Sequence, residues 1–168
     1  MRYFDAMDPS IKGGIIKDPR DWMRTAYGRE AYERALSKLA ADERAVMDGA
    51  LLAGSWYPLA VWDRFHDAMM EEASVRKGHA PSEFNMRKMR EAGSRSLRTI
   101  YKFLLGMMSA QSAIAKAPIL YNRAYSEGRC EVVENVPGKA VVRYADASPA
   151  FRTSLTHNLP SGIMSCSS

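Results

Sequence analysis

Cysteine is almost missing from this 168-residue chain, which has two, Cys130 and Cys166. Two cysteines build no disulfide framework, and their spacing matches no metal motif. Histidine is scarce too. His66, His79 and His157 lie far apart and make no zinc signature. No apolar run approaches the ~20 residues needed to cross a bilayer. The opening "MRYFDAMDPS" lacks the apolar centre of a secretory signal. Gly13-Gly14, between Lys12 and Lys17, lacks the Gly-x-x-x-x-Gly-Lys-Ser/Thr spacing that surrounds a phosphate. Nothing around Ser55 or Cys130 resembles a strained nucleophile turn. These absences set the expectations: a cytoplasmic protein, no membrane span, no metal, no cofactor, no catalytic residue, and hence not an enzyme.

What is present is ordinary for a globular domain: 46% apolar residues, 26% charged residues and a net charge of +5. The positive charge is spread along the chain. Its densest stretch runs from Arg87 to Lys102, where Arg87, Lys88, Arg90, Arg95, Arg98 and Lys102 face one acid, Glu91. Arg87, Glu91, Arg98 and Lys102 fall near one helix face. This reads as a solvated face. No zinc-finger, RNA-recognition or basic-zipper pattern supports a nucleic-acid partner.

The chain divides into a flexible N-terminal arm (1–11), a single α+β domain (12–146) and a polar C-terminal tail (147–168). Gly13 to Lys17 is a short apolar run, a strand or a packed entry segment. Asp18-Pro19 reads as a cap plus first helical position, opening a helix to Tyr27 that Gly28 ends. A second helix from Arg29 to Lys38 carries Ala31, Tyr32, Ala35, Leu36 and Leu39 on one stripe. A third spans about Asp42 to Met47.

Next comes "GSWYPLAVW", residues 54–62, with two tryptophans and a tyrosine around a proline. Ser55 is a candidate cap and Pro58 a helix start. Leu59, Trp62, Phe65, His66, Met69 and Ala73 then recur at steps of three and four, which predicts an amphipathic helix to Lys77-Gly78. Pro81 opens another helix, to about Leu105, with Met86, Met89, Gly93, Leu97, Ile100 and Leu104 as its buried face. A helix from Ser109 to Tyr125 contains Pro118, which predicts a kink. The period then changes. Cys130 to Asn135 and Lys139 to Tyr144 alternate around Pro137-Gly138, a β-hairpin with a type II turn. The fold class is α+β, mostly helical with a C-terminal antiparallel β-hairpin in a small sheet. A lone hairpin is marginal. Gly14-Ile15-Ile16, the helices or a second copy of the chain would complete it.

"GGIIKDPRDWMRTAYGREAYERALSKLAADERAVM", "GSWYPLAVWDRFHDAM", "REAGSRSLRTIYKFLLG" and "AIAKAPILYNRAYSEGRCEVVENVPGKAVVRY" follow one another. In this order they resemble a paralogous family of uncharacterised bacterial proteins best known from myxobacteria. More distantly, the chain is similar to the haem–nitric-oxide-binding, 4-vinyl-reductase-like and TRAPP-like group of ligand-binding domains. The similarity covers Gly13 to Tyr144. Its most specific elements are Ser55-Trp56-Tyr57-Pro58 and Tyr125, Gly128, Val132 and Val133 leading into the hairpin. The resemblance implies a sensor-like or adaptor-like domain that binds a small hydrophobic ligand or serves as a dimeric scaffold. The chain departs from that group in three ways. It has no Tyr-x-Ser-x-Arg setting for haem and no zinc-binding cysteine cluster. It also ends in a polar tail where relatives continue through a strand and a helix.

Trp56, Tyr57, Trp62, His66, Tyr101 and Tyr125 are the candidate ligand-lining residues. The plainer reading makes them core, with each polar tip hydrogen-bonded. His66 lies on the apolar face and reads as a core histidine, with a metal ligand as the sharper alternative. Asp63 and Asp67 flank it and are expected to be mostly exposed, as is His79. Cys130 reads as a small buried hydrophobe. Two functions remain. One is a sensory or regulatory domain that binds a small hydrophobic ligand and signals through a protein partner. The other is a homo-oligomeric structural adaptor with no small-molecule ligand.

Overall fold

The computed structural model describes residues 8–93 and 109–148. The N-terminal segment enters the fold earlier than its composition suggests. β1 (Ser10–Lys12) runs straight into α1 (Gly13–Tyr27), so Pro19 lies inside the helix and Asp18 is not its cap. The first amides of a helix lack partners within it. Here they find them in a distant loop: Gly13 N–H donates to the Ser55 carbonyl at 2.9 Å and Gly14 N–H to that of Ala53 at 3.1 Å. This external cap lets the helix begin at Gly13, and it corrects the reading of Gly13 to Lys17 as a strand. Ile11 is 2% exposed, so the end of the expected flexible arm is packed into the fold.

β2 (Trp56–Pro58) pairs antiparallel with β1, setting Ser10 opposite Pro58, Ile11 opposite Tyr57 and Lys12 opposite Trp56. The aromatic junction is therefore a strand, and Ser55 caps no helix there. α4 (Leu59–Lys77) starts directly after it. Pro58, with φ −59° and ψ 125°, closes the strand and occupies the cap position. The Leu59 N–H donates to the Pro9 carbonyl at 2.8 Å, which ties the N-terminal segment to α4. At the other end Gly78 takes a left-handed φ of 65° and stops the helix.

Between them lie α2 (Arg29–Ser37) and α3 (Ala41–Asp48), close to the expected bounds. α2 buries Ala31, Tyr32, Ala35 and Leu36 against α1 and α4. The C-terminal end of α3 is held by Arg20 of α1, whose guanidinium donates to the carbonyls of Met47 (3.1 Å) and Gly49 (2.7 Å). Arg20→Met is expected to lower stability by about 1–2 kcal/mol, because charge-assisted donors to two carbonyls are lost. A urea denaturation midpoint unchanged from wild type would mean that water replaces the guanidinium.

α5 (Pro81–Lys88) passes into a π-helical turn, Met89–Gly93. Its buried positions are Phe84, Lys88 and Ala92. Met86 and Met89, expected in the core, are exposed. The methionines are the more apolar side chains, but the four-residue step from Phe84 runs through a lysine. The rest of that expected helix lies outside the described residues.

α6 (Ala110–Ala115) is capped by the Ser109 hydroxyl, which accepts from the Ser112 N–H at 3.2 Å. The chain breaks at Lys116, and α7 (Ala117–Ala124) holds Pro118 in its first turn, where a missing N–H costs nothing. The kink expected at Pro118 is thus a break into two helices. Tyr125 leaves the helix and bridges Ile11, and the Ser126 N–H donates to the Ser10 carbonyl at 3.0 Å. β1 therefore has β2 on one side and Tyr125-Ser126 on the other. β3 (Arg129–Val136) and β4 (Lys139–Ala145) form the expected hairpin, with a bulge at Val133 and a positive φ at Gly138. Among the described residues this sheet has two strands, and Gly14-Ile15-Ile16, being helical, does not extend it. The hairpin is supported instead by α7 and α6.

The architecture is α+β and mostly helical. One core cluster joins Trp22 of α1, Tyr32 of α2, Trp62, Phe65 and Met69 of α4, and Phe84 of α5, and it extends to Tyr121 and Cys130. Among the described residues no helix is long and apolar enough to cross a membrane.

Candidate functional site

The four-residue step that buries Phe84 also carries Lys88 into the core, where it is 4% exposed. Its Nζ lies 2.7 Å from Nε2 of His66, which is 1% exposed on α4. The imidazole is flanked by aromatic rings on both sides. Trp62 lies 5.9 Å away between centroids, and Phe84 lies 5.4 Å away in an edge-on arrangement. Nδ1 of His66 faces Oδ1 of Asp67 at 3.7 Å, an electrostatic distance. A proton on Nδ1 suits that carboxylate and leaves Nε2 to accept from Lys88.

Burial pushes the Lys88 ammonium down to about 7, and the negative charges of Asp63 and Asp67 only partly offset it. Two positive charges this close would repel by roughly 6 kcal/mol even at an effective dielectric of 20. Lys88 and His66 therefore share at most one charge near neutral pH and titrate as a pair. The result is a primary amine, in aromatic surroundings, that is substantially neutral at pH 7 and touches a proton acceptor. Such an amine can hold a polar head group or attack an electrophilic carbon.

Of the candidate lining residues, Trp62 and His66 come together here. Tyr125 approaches from the far side: its hydroxyl is raised to about 12 by burial, then by Tyr144 and by the Asp63 carboxylate. Its ring packs on Tyr121 at 5.0 Å. Trp56 and Tyr57 serve elsewhere. Trp56 is 46% exposed with the Lys12 ammonium 3.9 Å over its ring. The Tyr57 hydroxyl accepts the Leu52 N–H at 2.8 Å. Their contacts are with the β1–β2 ribbon and the loop that caps α1. Tyr101 lies outside the described residues.

Three expectations about the surroundings change. Asp63 is half-buried, and Asp67, though exposed overall, turns a buried Oδ1 towards His66. His79 is not exposed. Its Nδ1 lies 3.1 Å from the Tyr27 hydroxyl and its Nε2 lies 3.4 Å from both Arg87 and Glu83. Cys130 is buried as expected, and burial pushes its thiol up, which makes it a poor nucleophile. Lys88 itself was missed, because it sits in a basic run read as a solvated face. Its signal was the phase Phe84, Lys88, Ala92.

Among the described residues no group of three or more His, Cys, Asp and Glu side chains is placed to hold a metal ion. Compared with family models, curated proteins and solved structures, the chain matches none.

Proposed function

We propose that this chain is a non-catalytic sensory or regulatory domain. It binds a small hydrophobic ligand beside Lys88 and His66 and signals through a protein partner. The observation that carries the reading is the buried Lys88–His66 pair set among Trp62 and Phe84. Small-molecule sites combine apolar walls with a few convergent polar groups and perturbed titrations. The resemblance of Gly13 to Tyr144 to ligand-binding domains supports the same reading. The pair joins α4 to α5, so a ligand there would bias the packing of these helices and the surface they present. The buried free thiol of Cys130 suits a reducing, cytoplasmic setting.

Native mass spectrometry of freshly purified protein tests it. A mass above that of the chain, lost on denaturation and absent from Lys88→Met protein, is the expected result. Bare chains, with no thermal shift across a panel of apolar compounds, would overturn it.

A second reading, the homo-oligomeric adaptor, is favoured by the hairpin. Val133, Val136 and Val141 are exposed on a two-stranded sheet, and open strand edges invite pairing with another chain. Sizing with light scattering at high concentration is expected to give a dimer that Val141→Lys converts to monomer. A strict wild-type monomer removes this reading.

A further inference from the structure

The next step rests on the ligand-binding reading and names the ligand's chemistry. We propose that Lys88 holds its ligand covalently, as a reversible imine formed with an apolar aldehyde or ketone. Three features of the geometry support this. The amine projects into the core rather than to solvent. Its Nζ touches a proton acceptor, Nε2 of His66, at 2.7 Å. Trp62 and Phe84 provide flat apolar surfaces beside that contact. A neutral amine donates one N–H to Nε2 and keeps its lone pair. Burial supplies the neutral form, since it brings the ammonium down to about 7.

The chemistry balances without an oxidant or reductant. The Nζ lone pair attacks the carbonyl carbon, a C–N bond forms, and the carbonyl oxygen becomes a hydroxyl. The nitrogen passes its surplus proton to Nε2 of His66, where Asp67 at 3.7 Å stabilises the imidazolium. That proton then goes to the hydroxyl, the C–O bond breaks, and water leaves as C=N forms. Hydrolysis reverses each step and releases the ligand unchanged, as a sensor requires. The apolar surroundings disfavour water and so favour the imine.

The test uses the full chain with cinnamaldehyde at pH 7, cyanoborohydride to trap the imine, and peptide mapping. An ordinary surface lysine is neutral in roughly one molecule in a few thousand at that pH, whereas Lys88 is neutral in about half. Allowing for restricted entry, labelling of Lys88 is expected to outrun that of exposed Lys17 and Lys116 by about tenfold or more. Its rate should level off above about pH 7 while theirs keeps climbing. His66→Gln, which removes the proton acceptor, is expected to slow labelling by about a hundredfold. Lys88→Met should abolish the mapped adduct in protein that still folds. Labelling of Lys88 at or below the level of Lys17 overturns the proposal. A non-covalent mass in the native spectrum with no Lys88 adduct leaves the ligand-binding reading standing and removes the imine. Neither mass nor adduct removes both.

Discussion

Lys88→Met is expected to stabilise the protein by about 2–3 kcal/mol at pH 6 and to destabilise it by about 1 kcal/mol above pH 10.5. The reason is linkage. The folded-state value of Lys88 is about 7, against 10.5 for an unburied lysine. Between these values the unfolded chain binds a proton that the folded chain does not. Wild-type stability therefore rises with pH across this window, by up to about 1.4 kcal/mol per unit. The burial penalty is complete below pH 7 and gone above 10.5. Methionine matches the lysine stem in length, fills irregular space and carries no charge. Replacing buried charge with apolar bulk of similar size is commonly stabilising. The variant also strips His66 of a hydrogen bond, which costs about 1–3 kcal/mol at every pH. That loss trims the gain at low pH and is all that remains at high pH, so the two stability curves cross. Urea denaturation of both proteins from pH 6 to pH 10.5 would show the crossing. Parallel curves, or a variant weaker throughout, would mean that Lys88 is an ordinary structural contact.

The sign of that result bears on function. A side chain that weakens the fold at neutral pH is retained for something other than packing, and departures from local consistency concentrate at functional sites. Glu72 shows the contrast. It too is buried on α4, yet Arg34 at 2.8 Å and Lys38 at 3.4 Å neutralise it. Hydrogen bonds from these two bases outweigh its burial and hold its carboxyl below the usual range. Glu72 is a satisfied ion pair that joins α2 to α4. Lys88 meets an imidazole instead of a carboxylate, and its amine stays chemically available.

How much of this was legible depended on the range of the forces involved. α2 announced itself because Ala31, Tyr32, Ala35 and Leu36 repeat at steps of one, three and four and the helix packs on that stripe. The hairpin was legible because Pro137-Gly138 and the flanking valines act locally. α4 was readable for the same reason, and with it the placement of Trp62 and His66 on one buried face. The strands β1 and β2 were not. Each has three residues, too few for a period, and their pairing spans more than forty positions in the chain. The start of α1 failed likewise, since its cap arrives from residues 53 and 55. At the site, lysine's usual exposure hid Lys88, while the aromatic density of "GSWYPLAVW" drew attention to Trp56 and Tyr57. Those rings serve the ribbon and the cap.

Gly13→Ala is expected to cost about 3 kcal/mol or more, while Gly14→Ala, one residue along, should be neutral or stabilising by about 0.5 kcal/mol. Both glycines are helical, so conformational freedom does not separate them. Space does. A Cβ on Gly13 would sit 2.3 Å from the Leu52 carbonyl oxygen and 2.7 Å from Cε2 of Tyr57. The first is backbone, and it belongs to the loop that supplies the acceptors for the Gly13 and Gly14 amides. Moving that loop away breaks the cap of α1 and disturbs the Tyr57 hydroxyl, which holds the Leu52 N–H. The cost is therefore overpacking plus the loss of hydrogen bonds that start the helix. At Gly14 the nearest atom to a new Cβ is the Ala53 carbonyl oxygen at 3.4 Å, an ordinary contact. Alanine there gains helix propensity over glycine without a clash. Thermal melts of the two variants against wild type read the difference directly. If Gly13→Ala melts with wild type, the loop at 52–55 is free to move and the cap of α1 is not the constraint inferred from its geometry. A large loss at Gly13 alone would establish that "GSWYPLAVW" begins by anchoring the N-terminal helix, before its second tryptophan reaches the buried lysine.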